Sequence, residues 1–215
     1  MTLLDGMCKP PLCSGVTILV TVWKSRCSMR IQVKSLLVAT ISPVVVAILA
    51  ISCSGIVNAA DIAKIQIGSP AFANGDDIPE AYTCKGVDKS PALQWSGIPV
   101  GTKALALIIE DPDAPGGTFI HWVVYAIPAD RRGLPEDVAK DEVVSGIGRQ
   151  GITGFGKVGY HGPCPPPGSP HHYHFRLYAL DTEVDPASSV DASKLEAAMQ
   201  GHVLGTGEMV GLFQR

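Results

Sequence analysis

From residue 60 to the C-terminus, proline or glycine closes almost every apolar run before it exceeds the length of a β-strand. Such punctuation disfavours long helices, because proline removes a backbone donor and glycine adds conformational entropy to be lost, and it favours a sheet. Residues 104–109 form a continuous apolar run that enters Asp111-Pro112-Asp113, which predicts a strand buried on both faces. In residues 119–127, alternation puts Phe119, His121, Val123, Tyr125 and Ile127 on one face and Ile120, Trp122, Val124 and Ala126 on the other. Neither face is polar, so this segment is predicted to be a central strand. Residues 173–180 read as a half-buried strand, and residues 62–67 and Ala92-Leu93-Gln94-Trp95 as shorter ones. Residues 145–170 are rich in glycine and proline and predict a long ordered loop. Ser193-Lys194-Leu195-Glu196 fits a capping box, opening a short helix that Gly201 stops. Many strands and one short C-terminal helix predict a mainly β fold, an antiparallel β-sandwich with long Pro/Gly-rich loops, and not alternating βαβ units.

The first sixty residues differ in kind. They hold five of the 17 Lys and Arg residues, one of the 20 Asp and Glu residues and an apolar run over residues 36–51. Arg30 and Lys34 precede that run, and Val57-Asn58-Ala59 follows it. A basic start, an apolar middle and small residues at −3 and −1 predict a secretory signal over residues 29–59, cleaved after Ala59. Residues 1–28 lack a pattern of their own, as expected if the start codon is mis-assigned and Met29 is the true start. A transmembrane anchor competes with this reading, but the run is near the short limit for crossing a bilayer. Ala50-Ile51-Ser52-Cys53 is a poor match to a lipoprotein box, in which Cys53 would carry lipid.

Residues 60–215 form the expected domain, with 12 basic and 19 acidic side chains, a net charge of 12 − 19 = −7. So acidic a surface repels phosphate backbones and excludes nucleic acid as a partner class. Four of the six cysteines lie in the leader, leaving Cys84 and Cys164. In the periplasm or outside the cell these two would form a bridge closing a loop of about 80 residues, worth roughly 2–4 kcal/mol. Two free buried thiols are the alternative, since sequence does not supply the Cα separation.

Two segments carry the chemistry: Asp111-Pro112-Asp113-Ala114-Pro115 with His121-Trp122, and Gly162-Pro163-Cys164-Pro165-Pro166-Pro167 with His171-His172-Tyr173. Stiff prolines beside ionisable groups suggest a preformed site. Five of the six histidines cluster here. No HExxH, CxxC or GxSxG pattern is present, so neither metal, cofactor nor serine nucleophile is expected. A hydrolase using the His/Asp cluster stays an alternative, as does a protease inhibitor using the proline-rich loop as a plug. The preferred reading is a non-catalytic anion pocket. Protonated histidine, a tyrosine hydroxyl and backbone N–H groups near Gly162 are donors suited to phosphate, phosphoethanolamine or a carboxylate. Asp111 or Asp113 fits such a site if it accepts a hydrogen bond from a histidine ring, turning the other ring nitrogen toward the ligand. Affinity should then weaken as pH rises through about 6.5.

Several stretches carry a resemblance: Ser90-Pro91-Ala92-Leu93-Gln94-Trp95-Ser96-Gly97-Ile98-Pro99, residues 109–115, His121-Trp122, residues 159–168, residues 171–173 and Gly201-His202-Val203-Leu204. In this order they resemble the phosphatidylethanolamine-binding protein family, and within it the secreted bacterial branch. The resemblance implies an antiparallel β-sandwich with a small pocket for phosphate-like anions. It also implies that Asp111, His121, Gly162, Pro163, His171 and Tyr173 line that pocket, with membrane contact only through a lipid headgroup. His172 stands where the family commonly has arginine, which removes a permanent positive charge, and strand alternation turns it away from His171 and Tyr173.

Overall fold

The computed structural model describes residues 62–185 and 190–215, so the leader, its cleavage point and Cys53 lie outside the described residues. The described chain is mainly β with one short helix. In chain order the strands are β1 (Ala63–Lys64), β2 (Gln66–Gly68), β3 (Leu93–Ser96), β4 (Ala104–Asp111), β5 (Phe119–Pro128), β6 (Gly133–Leu134), β7 (Val143–Val144), β8 (Gly148–Gln150), β9 (His171–Leu180) and β10 (Val203–Phe213). The helix α1 spans Ala192–Met199. A seven-stranded sheet has the order β1-β10-β9-β4-β5-β8-β7, and a three-stranded sheet the order β2-β3-β6.

The larger sheet is mixed, a correction to the all-antiparallel expectation, because β1 runs parallel to β10. The expected single strand at 62–67 also divides. Ile65 donates its N–H to Thr206 in the larger sheet, and the next three residues pair with β3 in the smaller one. One bend thus lets a short segment serve two sheets.

The apolar run of β4 is buried along its whole length, as its lack of a polar face requires. Leu105, Leu107 and Ile109 join a core cluster with Ile65, Leu93 and Trp95 around the smaller sheet. Ala106 and Ile108 face the other way, into a second cluster with Leu195 and Met199 of α1. Each such side chain removed from water contributes about 1.5–3 kcal/mol relative to exposure, so both faces of the sheet hold it in place.

Strict alternation in β5 fails at two points. Ile109 pairs with Trp122 while the next residue, Glu110, pairs with Ile120, so His121 is an extra residue in the strand. This bulge puts His121 and Trp122 on the same side, because Ile120 and Val123 both pack into the helix-side cluster while Trp122 faces the other. A second shift lies near Ala126, whose φ is 52°, and it carries Ile127 to the side of Val124.

The helix is present where expected, but its cap is Asp191 and not Ser193. The Asp191 carboxylate accepts from the Lys194 N–H at 2.9 Å and from the Ser193 hydroxyl at 2.7 Å. Gly201, at φ 82°, ends the element. Asp191→Ala should destabilise the protein by about 1 kcal/mol, read as a lowered denaturation midpoint in urea with an unchanged slope.

Candidate functional site

At one end of β4, β5 and β9, a cavity of about 200 Å³ is lined by Asp111, Ala114, Pro115, Phe119, His121, Phe155, Cys164, Pro165, Pro166, His171 and Tyr173. Asp111, His121, His171 and Tyr173 come together here from both chemistry-bearing segments. All four are buried, Tyr173 completely. Register explains the meeting: Glu110 pairs with His174, which brings Asp111 level with Tyr173, and the bulge at His121 turns its ring onto Tyr173. The two rings meet edge to face at 5.2 Å.

His121 Nδ1 lies 2.6 Å from the carbonyl of His161. A carbonyl only accepts, so Nδ1 carries a proton and Nε2 is the remaining ring nitrogen. Burial pushes the imidazole below its ordinary value, while the His161 carbonyl and the Asp111 carboxylate pull the other way. His171 Nδ1 lies 2.7 Å from Asp111 Oδ2, so here the acid does anchor a histidine ring. The Tyr173 hydroxyl is buried and, among the described residues, has no partner at full hydrogen-bond geometry, although the Asp111 carboxylate lies close enough to act on it. Burial, with the nearby Asp111 carboxylate, drives its pKa well above the ordinary phenol range, so it stays a neutral donor.

Asp113, Gly162 and Pro163 are not among the residues lining the cavity, and each makes its hydrogen bonds from a segment that forms its walls. Asp113 Oδ2 accepts from the His172 N–H at 2.8 Å and the His172 ring at 2.7 Å, while its own N–H donates to Asp111 Oδ1 at 2.9 Å. His172 is exposed and faces away from the cavity side chains, as strand alternation requires. Gly162 donates its N–H to Asp88 Oδ1 at 2.7 Å, and a Cβ on it would sit 2.2 Å from the Tyr82 carbonyl oxygen. Only glycine lets the two backbones approach so closely. The Pro163 carbonyl accepts from the Cys84 N–H at 3.1 Å. Cys84 and Cys164 are bridged, with Cα atoms 5.4 Å apart, fastening the loop to the segment before β3. The Tyr160 hydroxyl adds a buried bond to the Tyr82 carbonyl at 2.6 Å.

Sequence reasoning missed the aromatic wall. Phe119 and Phe155 meet edge to face at 4.7 Å, and both rings pack on His121. The sequence signal was an aromatic residue between Gly154 and Gly156 in a loop, where no core needs it. Among the described residues, no group of three or more His, Cys, Asp or Glu side chains is arranged to hold a metal ion.

Residues 68–214 match the phosphatidylethanolamine-binding protein family. The chain belongs to that family. A UPF0098 protein of Aquifex aeolicus is 47% identical over 157 residues, covering 71% of this chain and 90% of that protein. One of Pyrococcus horikoshii is 42% identical over 177 residues, 80% of this chain and 88% of its own length. Among solved structures, Escherichia coli YbcL, described as a member of the mammalian PEBP family, superposes with a TM-score of 0.65 at 33% identity, covering 71% of this chain and 99% of that one. A phosphatidylethanolamine-binding protein homologue from Chlamydia trachomatis gives 0.64 at 37% identity, covering 71% and 98%. In this member of the phosphatidylethanolamine-binding protein family, the motif stretches at residues 109–115, 121–122, 159–168 and 171–173 supply most of the cavity lining.

Proposed function

We propose that the protein is a non-catalytic binding protein whose preformed cavity takes a small phosphate-like or carboxylate anion, such as a phospholipid headgroup. The Tyr173 hydroxyl carries this reading: a buried, cavity-lining donor that has no partner at full hydrogen-bond geometry among the described residues costs free energy unless a ligand supplies an acceptor. The cavity volume of about 200 Å³ is below the roughly 300–1,000 Å³ of sites for drug-sized ligands, which suits a headgroup. Two or three charge-assisted bonds at about 1.5–3 kcal/mol each support millimolar to micromolar affinity.

A serine, threonine or cysteine nucleophile is disfavoured, because the lining contains no serine or threonine and its cysteine is held in the bridge. A role as a protease plug is less well supported, since Pro165 and Pro166 face the cavity. The bridge favours an exported protein, periplasmic or secreted. In this reading the two sheets form the family's sandwich, with α1 over the outer face of the larger one.

The test is calorimetric titration of phosphate and phosphoethanolamine into wild type, His121→Ala and His171→Ala. Both substitutions should weaken binding by about tenfold; identical heats in all three proteins would remove the cavity from consideration. The pH dependence follows from His121. Its folded pKa lies below the ordinary 6.5, so between the two values the unfolded chain binds the extra proton and the fold loses stability as pH falls. An anion accepting from Nε2–H stabilises the imidazolium, so binding takes up a proton and tightens as pH falls toward the lowered pKa of the ligand-free imidazole. Burial thus moves the expected pH dependence to lower values than a free histidine would give. Phosphate should therefore raise the melting temperature more at pH 5.5 than at pH 7.5, and an equal rise at both would show that neutral donors suffice.

A further inference from the structure

The cavity holds an apolar surface that a bare anion does not use. Phe155 lines it yet remains 44% exposed, one of the few large apolar side chains left in water among the described residues. Its position is fixed by the turn beneath it. Ile152 and Val158 form an antiparallel bridge, and the Thr153 N–H donates to the Lys157 carbonyl at 2.9 Å. The Gly156 N–H donates to the Thr153 carbonyl at 2.9 Å, and the Gly154 N–H to Ile120 of β5 at 2.8 Å. The ring of Phe119 fills the space beside Gly154, where a Cβ would stand 2.7 Å from it. Phe155 then rests edge-on against Phe119 and His121. An aromatic ring held this firmly at a cavity, and still partly in water, is a ready contact surface for a ligand.

Composition points the same way. The lining contains the Asp111 carboxylate and no lysine or arginine, while Ala114, Pro115, Phe119, Phe155, Pro165 and Pro166 are apolar. A bare inorganic anion would gain little from these apolar walls. An acid group carrying an apolar substituent matches them better, with the acid at Tyr173 and His121 and the substituent against Phe155.

We propose that Phe155 is a specificity-determining residue, and that the site selects small organic acids or phosphate esters with an apolar group next to the anionic one. The inference rests on the anion reading above. The probes are inorganic phosphate, phosphoethanolamine and phenyl phosphate, titrated by calorimetry at pH 6 into wild type, Phe155→Ala and Phe155→Tyr. Phenyl phosphate should bind wild type about tenfold tighter than either other probe, given the apolar area it buries. That ratio should fall to near one in Phe155→Ala and be largely kept in Phe155→Tyr. A substitution that merely loosens the cavity would weaken all probes together and keep the ratio, which overturns the proposal. A ratio near one in wild type, with phosphate still binding, overturns it while leaving the anion reading intact. If no probe binds wild type, both readings fall.

Discussion

Replacing Tyr173 by phenylalanine should weaken phosphate binding by about ten- to a hundredfold and leave the unliganded protein as stable as wild type, or more stable by about 1 kcal/mol. The two signs have one cause. The ring is wholly buried among core side chains, so phenylalanine keeps its place in the core cluster and the edge-to-face contact with His121. What is lost is one hydroxyl, which has no partner at full hydrogen-bond geometry among the described residues. A buried donor without a partner carries a desolvation cost, and deleting it returns that cost. With an anion present, the same hydroxyl would make a bond to a charged acceptor, worth about 1.5–3 kcal/mol. Urea denaturation of the unliganded variant together with calorimetric titration of phosphate checks both signs. A clear loss of stability would mean that the hydroxyl serves the fold, most simply through Asp111, and would remove the main support for a ligand at this place.

Removing the bridge by Cys84→Ser with Cys164→Ser should cost about 2–4 kcal/mol and lower the melting temperature by on the order of 5 to 15 °C. The bridge spans 80 residues of sequence, so it withdraws much freedom from the unfolded chain. The fold should survive. Gly162 to Asp88, Cys84 to Pro163 and Tyr160 to Tyr82 still tie the loop down through hydrogen bonds of 2.7, 3.1 and 2.6 Å. Because Cys164 is part of the cavity lining, phosphate affinity should fall as well, through looser placement of Pro165 and Pro166. Thermal denaturation with and without reductant tests the first effect; an unchanged midpoint in reductant would show that the bridge contributes nothing to stability.

Most of the fold was legible because burial leaves a direct trace in residue pattern. The apolar run at 104–109 has no polar face and became β4, buried throughout. Strands β4, β5 and β9 and the helix lie where their patterns put them, to within a few residues, whereas β10, the longest strand, had no predicted counterpart. Less was legible where two choices look alike in one dimension. The capping-box pattern points to Ser193, and only the extended backbone at Asp191 shows that the helix starts there instead. Phe155 reads as a loop residue until the turn beneath it is pinned to Ile120, a contact between residues far apart in sequence.

The site divides in the same way. Residue type and motif order alone brought Asp111, His121, His171 and Tyr173 forward as candidates, and strand alternation alone turned His172 away from them. Tertiary structure decided their roles. A single extra residue in β5 turned His121 toward Tyr173, and a bulge depends on the register of a partner strand, which no local pattern encodes. The hydrogen bonds that Asp113, Gly162 and Pro163 make could not be read from sequence, because partners and backbone approach distances exist only once remote segments have met.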